Sequence, residues 1–229
     1  MSPYDRAIVL AGMLLQGMVI STMLKGAVRR YPFVFSYVVF SFLSSVVQYS
    51  FWEFFGRASR QYIRAYWIVD FVGTVLVLMI IIHLIRAAME GHRHRGTVYW
   101  GLLGGVLITA AVAARLLTSG GRSFSFSRLL TEVGRDYYFG AVLLNLILWT
   151  TLIKTNHWNK QIYLLASGLG LKLTGAAIAH AMRLAAVGPS VVANQILVIT
   201  YLLSLYIWYF ALKRVPAPDP LREQVSQRV

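Results

Sequence analysis

Seven stretches of about 18–25 mostly apolar residues take up most of this chain, each long enough to cross the hydrocarbon core of a bilayer as a helix. Inside lipid every backbone N–H and C=O must be satisfied within the spanning structure, which for apolar runs of this length means α-helices. Composition agrees, with 58% hydrophobic and only 13% charged residues, about half the charged share of a soluble domain. The expected fold is all-α: a polytopic bundle of seven transmembrane helices with short loops over residues 1–213. The remaining 214–229 form a polar tail containing Pro216, Pro218 and Pro220 that lacks the apolar content to order itself.

The spans read in order as about Ala7–Leu24, then from Tyr31-Pro32 to about Trp52, Tyr66–Ile85, Thr97–Leu117, Tyr137–Ile153, Gln161–Ala186 and Val191–Leu212. Asp5 and Arg6 precede the first span and no small-residue cleavage site follows it, so it is read as retained. Pro32 suits a first helical turn. Ser41, Ser44, Ser45 and Gln48 form a polar stripe on the second span, and Asp70, Gly73, Thr74 and Val77 share a face of the third. The fourth is dense in Gly and Ala, as a tightly packed central helix would be. Residues 118–135 form the longest connection, with Phe126, Leu129, Leu130 and Val133 spaced for a short amphipathic surface helix. Polar residues of spans 1–3 do not recur in matching order in spans 5–7, so no transporter-type repeat is visible.

The net charge of +14, from 22 basic against 8 acidic residues, would suggest nucleic acid in a soluble chain. Here the basic residues lie between apolar spans, where they orient the protein and meet anionic headgroups, so no nucleic-acid partner is expected. Lys25, Arg29, Arg30, Arg86, Arg93, Arg95, Lys154, Lys160, Lys213 and Arg214 lie with the tail on one side, and a slightly smaller set lies on the other. That bias favours an N-terminus outside and a C-terminus inside.

The sixth span, QIYLLASGLGLKLTGAAIAHAMRLAA, is the one whose charges are hardest to place in lipid. At 100° per residue Lys172, His180 and Arg183 fall within an arc of about 80°, on the same side as Gly168, Gly175, Ala176 and Ala179. A charge at mid-bilayer depth costs several kcal/mol or more unless paired or hydrated, so that face should point into protein. With alternating spans, Glu53, Asp70, Arg115, Asp136, His180 and Arg183 share one half of the membrane, the outer one in this orientation. Asp70 is the natural counter-ion for Lys172 or Arg115. Glu53, Asp70, Arg115, Asn145, Lys172, His180, Arg183 and Asn194 are therefore the candidate ligand or ion-pair residues. The competing reading is snorkelling for Arg115, Asp136 and Arg183 and structural ion pairs for the rest.

No cofactor and no metal are expected. A retinal Schiff base on Lys172 is disfavoured because the last span, where microbial rhodopsins carry their lysine, has none. His83 and His180 lie near opposite membrane faces, on the order of 25 Å apart by helix rise, too far to share a haem. His92 and His94 sit beside Arg93 and Arg95, which would repel zinc. No Gly-x-Ser-x-Gly elbow, His-Glu-x-x-His motif or nucleotide loop is present, so an enzyme is not expected. Without cysteine there are no disulfides, thiolate sites or thiol nucleophiles.

Three segments, Ser2-Pro3-Tyr4-Asp5-Arg6, Arg29 to Tyr37 (RRYPFVFSY) and Tyr66 to Phe71 (YWIVDF), resemble a group of uncharacterised bacterial seven-span membrane proteins of about this length. The resemblance follows the layout of most of the chain, with Asp70 standing where a glutamate is expected in related chains. It implies the topology and brings no activity with it. The expected function is non-enzymatic, either a ligand-binding, sensor-like module or an accessory subunit of a larger membrane complex. A small transporter or channel with a polar site around Lys172 and Asp70 is the alternative. Expected partners are the lipid bilayer, a membrane protein or second copy, and a small ligand.

Overall fold

The computed structural model describes residues 3–56, 59–89, 96, 100–105, 126–155, 159–185 and 190–213, and these are all-helical. Helix α1 (Pro3–Thr22) runs into a π-turn (Met23–Ala27) and a short α2 (Val28–Arg30). Then follow α3 (Pro32–Phe55), α4 (Arg60–Ala88), α5 (Phe126–Thr155), α6 (Lys160–Leu184) and α7 (Ser190–Lys213). Among the described residues six helices are long and apolar enough to cross a membrane: Arg6–Arg30, Pro32–Phe55, Ile68–Ala88, Tyr137–Lys154, Lys160–Leu184 and Val191–Lys213. Most of the expected fourth span, the His92–His94 loop and the 214–229 tail lie outside the described residues.

Local chemistry sets the helix ends. Pro32 fits the first turn of α3, where a missing N–H costs nothing. Gly56, at φ 77°, takes the chain out of α3 in a backbone region open to glycine, its N–H bonded to Trp52 O at 3.0 Å. Ser59 caps α4 by accepting from Tyr62 N at 3.1 Å, and Asn159 Oδ1 caps α6 by accepting from Gln161 N at 3.1 Å.

Two elements differ from the sequence expectation. Lys25 to Arg30, expected as a loop, continues α1, because Gly26 absorbs a local reversal at φ 134° without ending the hydrogen-bonded turn. The amphipathic segment from Phe126 and the fifth span form the single helix α5. No proline interrupts it, and its two isolated glycines, Gly134 and Gly140, do not stop a helix.

The six long helices close a ring: α1 packs on α3, α3 on α4, α4 on α5, α5 on α6, α6 on α7, and α7 back on α1, with α6 also reaching α4. α6 is the most enclosed, with 56% of its apolar window buried. Its small residues allow this. A Cβ on Gly168 would lie 2.6 Å from the Trp208 ring of α7, and one on Gly175 would overlap Thr200. Ala176, Ala177 and Ala179 are buried as well. Apolar faces of α1, α3 and α5 are turned outward, Leu10, Leu14, Leu43, Val47 and Leu143 among them, as lipid-facing surfaces should be.

If α6 and α7 meet through these glycines, Gly168→Ala and Gly175→Ala each lower the thermal midpoint in detergent, at a cost of about 1–3 kcal/mol from overpacking. Gly17→Ala, whose added methyl meets nothing within 4 Å, leaves the midpoint unchanged or raises it slightly through helix propensity. Unchanged midpoints for both α6 variants would contradict this packing.

Candidate functional site

Between α3, α4, α5, α6 and α7 lies a partly open cavity of about 190 Å³. α3 supplies Tyr37, Phe40, Ser41 and Gln48, the last two from the polar stripe seen in the sequence. α4 supplies Tyr66, Asp70 and Gly73, and α5 supplies Tyr138. Lys172 and Ala176 of α6 and Tyr201 of α7 complete the wall. Four phenol rings, one ammonium and one carboxylate thus share an interior space within the membrane-spanning segments.

Lys172 is held by an aromatic face. Its Nζ lies 4.4 Å from the centroid of the Tyr37 ring, a cation–π contact worth up to about 2 kcal/mol when desolvated. Tyr37 is fixed in turn by the Trp208 ring, edge-on at 5.7 Å. Trp208 donates Nε1–H to Leu165 O at 3.1 Å and lies in the groove left by Gly168. The glycine that lets α6 and α7 approach therefore also seats the ring beneath the lysine.

On the facing side, Asp70 Oδ1 accepts a hydrogen bond from Tyr138 OH at 2.9 Å. The Tyr138 ring is stacked on His180, with centroids 5.1 Å apart and planes 24° from parallel. His180 is fully buried, and neither ring nitrogen has a hydrogen-bond partner among the described residues. Lys172 and Asp70 line the same cavity but form no ion pair with each other. The counter-ion relation expected from the sequence is thus a shared space and not a contact.

Beside Lys172, a hydroxyl cluster ties α1, α3 and α7 together. Gln16 Nε2 donates to Tyr201 OH at 2.5 Å, to Ser41 Oγ at 3.2 Å and to Ser45 Oγ at 3.4 Å. Ser41 Oγ and Tyr201 OH are 2.6 Å apart. Ser45 also donates to Ser41 O at 2.9 Å. These bonds satisfy the buried amide nitrogen, which has no water to turn to within lipid, while Gln16 Oε1 has no hydrogen-bond partner among the described residues.

The other sequence candidates are dispersed. Arg183 donates from Nη2 to Asn194 Oδ1 at 2.7 Å, joining α6 to α7, and also hydrogen-bonds the Tyr66 side chain of the cavity wall without lining the cavity itself. Glu53 pairs with Arg6 at 3.2 Å where the end of α3 meets the start of α1, both side chains exposed. Asn145 is buried between α5 and α6, with Nδ2 2.7 Å from where a Gly170 Cβ would stand and Oδ1 without a hydrogen-bond partner among the described residues. Arg115 lies outside the described residues. Of the charged face of α6, Lys172 alone lines the cavity, while His180 goes under Tyr138 and Arg183 to Asn194.

Sequence reasoning singled out none of Tyr37, Tyr66, Tyr138 and Tyr201 as site residues. A signal was present for two of them. Tyr37 heads the stripe Ser41, Ser45, Gln48 at helical spacing, and Tyr66 lies one turn before Asp70 on its face.

Tyr201→Phe removes the hydroxyl shared by Gln16 and Ser41, and is expected to destabilise the protein by about 0.5–2 kcal/mol, the range for interhelical hydrogen bonds in membranes. Thermal unfolding in detergent reads this directly, and a wild-type midpoint would contradict the network. No family model, no curated protein and no solved structure matches the chain.

Proposed function

We propose that this chain is a non-enzymatic, seven-span membrane protein that binds a small polar ligand in the cavity between Lys172 and Asp70 and acts as a sensor-like module. The observation that carries the reading is the pair of opposite charges lining one intramembrane cavity without meeting in an ion pair. Each such charge costs several kcal/mol to keep in a low-dielectric interior. A purely structural pair would be expected in contact, where Coulomb attraction offsets that cost. Two charges held apart, one on an aromatic platform and one on a tyrosine hydroxyl, are arranged to meet a third group.

Transport is the second reading, and α1 gives it one specific support. The span Arg6–Arg30 that α1 begins is distorted at Gly26, a non-helical residue near its end, and transporters build their substrate and ion sites from discontinuous spans. Gly26 does not line the cavity, so ligand binding without translocation is preferred. In the proposed topology Thr97–Leu117 is the remaining span, the N-terminus lies outside and the C-terminus inside a bacterial inner membrane. The exposed basic residues Lys25, Arg30, Lys154, Lys160 and Lys213 then share the inner face.

Ligand binding is tested by thermal unfolding of the purified full-length protein against a panel of small metabolites: amino acids, amines, carboxylates, sugars and nucleosides. At least one is expected to raise the midpoint by several degrees, since ligand at 100 times Kd stabilises by about 2.7 kcal/mol. Lys172→Met is expected to abolish that shift. A panel that leaves the wild type unmoved overturns the reading. In proteoliposomes, uptake of the stabilising compound that is lost in Lys172→Met would instead favour transport.

Orientation is tested separately, because the chain has no cysteine of its own. A membrane-impermeant maleimide should label Arg6→Cys in intact spheroplasts and Lys213→Cys after lysis alone. The reverse pattern would invert the topology.

A further inference from the structure

We propose that the ligand of this cavity is a small zwitterion, a molecule with a carboxylate at one end and a protonated amine at the other, in the size class of a small amino acid. The inference rests on the ligand-binding reading above and goes one step further, to the chemistry of the ligand.

The argument is one of exclusion between charges. Lys172 presents an ammonium ion to the cavity, its underside covered by the Tyr37 ring and no carboxylate of the described residues within ion-pair reach. Asp70 presents a carboxylate whose Oδ1 is engaged by Tyr138. Its Oδ2 makes no hydrogen bond among the described residues. A ligand bearing only an anion would meet Lys172 but be repelled by Asp70 across a low-dielectric gap. One bearing only a cation would be repelled by Lys172. An apolar ligand would strip water from both charges and replace it with nothing. A zwitterion complements both at once, and its two ends have distinct addresses.

The walls sharpen the assignment. Asp70 Oδ2, with no hydrogen bond among the described residues, addresses the amine end, beside the Tyr66 and Tyr138 side chains that line the same wall. The Ser41 and Tyr201 hydroxyls line the cavity in the neighbourhood of Lys172, and hydroxyl donors suit a carboxylate. Size sets the scale. A cavity of about 190 Å³ is slightly larger than the roughly 150 Å³ that holds a benzene ring. It suits a ligand of roughly ten non-hydrogen atoms.

The experiment uses the full-length protein in detergent and a matched set of probes: glycine, L-alanine, L-proline, β-alanine and γ-aminobutyrate as zwitterions, propionate as the anion alone, ethylamine as the cation alone. Binding is read by calorimetry and by thermal shift. At least one zwitterion is expected to bind, with propionate and ethylamine weaker by roughly tenfold or more. The amino acid, β- and γ-amino acid series reads the spacing between the two subsites. Lys172→Met and Asp70→Asn should each reduce zwitterion affinity by roughly tenfold or more, while the exposed Glu53→Gln leaves it unchanged. Asn at position 70 keeps an acceptor for Tyr138, and unliganded midpoints and elution profiles of the variants report whether they fold.

Propionate or ethylamine binding as tightly as every zwitterion, through one of the two charges alone, would overturn the zwitterion assignment and leave the ligand-binding reading standing. Zwitterion binding unchanged in both Lys172→Met and Asp70→Asn would also overturn it, by placing the ligand elsewhere. Failure of all the zwitterions while another metabolite class stabilises the protein in a Lys172-dependent way overturns this inference alone. Failure of every class removes both.

Discussion

Lys172 carries an ammonium ion at mid-span, and hydrocarbon cannot solvate it. That one fact orients α6. Its charged face must turn inward, so the residues around Lys172 have to be small enough to admit neighbouring helices, and Gly168, Gly175 and Ala176 are. Close approach of α7 through those glycines then brings Trp208 against the backbone of α6, where its indole N–H finds Leu165 O. The indole supports Tyr37, and Tyr37 supports the ammonium. Helix packing and charge accommodation are thus successive links of one chain of contacts.

The opposite wall follows the same logic with the sign reversed. Asp70 lies on the α4 face shared with Gly73 and buried Thr74, and Tyr138 of α5 supplies the hydrogen bond its carboxylate needs. Between these walls the protein keeps the two charges apart and spends a separate hydroxyl network, Gln16–Ser41–Tyr201, on holding α1, α3 and α7 together. His180, buried with two unpartnered nitrogens beneath Tyr138, shows that polar satisfaction is not uniform around the cavity.

Much of this was legible in the chain itself. Hydropathy located six of the spans that the structure describes, and helical phase put Lys172 with the small residues and Asp70 with Gly73. Phase alone could not say how far each charged side chain reaches, so it grouped His180 and Arg183 with Lys172, and the fold sends the three to different partners. Glu53 ranked with the site because it lies at the right end of a helix; its neighbour is Arg6, which hydropathy cannot pair with it. The tyrosines were the hardest to read, since a membrane protein uses tyrosine equally as interfacial belt, core filler and hydrogen-bond donor. The continuation through Lys25 to Arg30 was obscured because a π-turn with a left-handed glycine has no sequence pattern distinct from a loop.

The central claim is that Lys172 and Asp70 stand apart across a cavity open to a third group. A side-chain-resolved density map of the protein in a lipid nanodisc tests it most directly. The account predicts Lys172 over the Tyr37 ring and Asp70 on Tyr138, with the space between them continuous and free of protein side chains. A map in which the ammonium and the carboxylate meet in a direct ion pair, with the cavity closed around them, would contradict it.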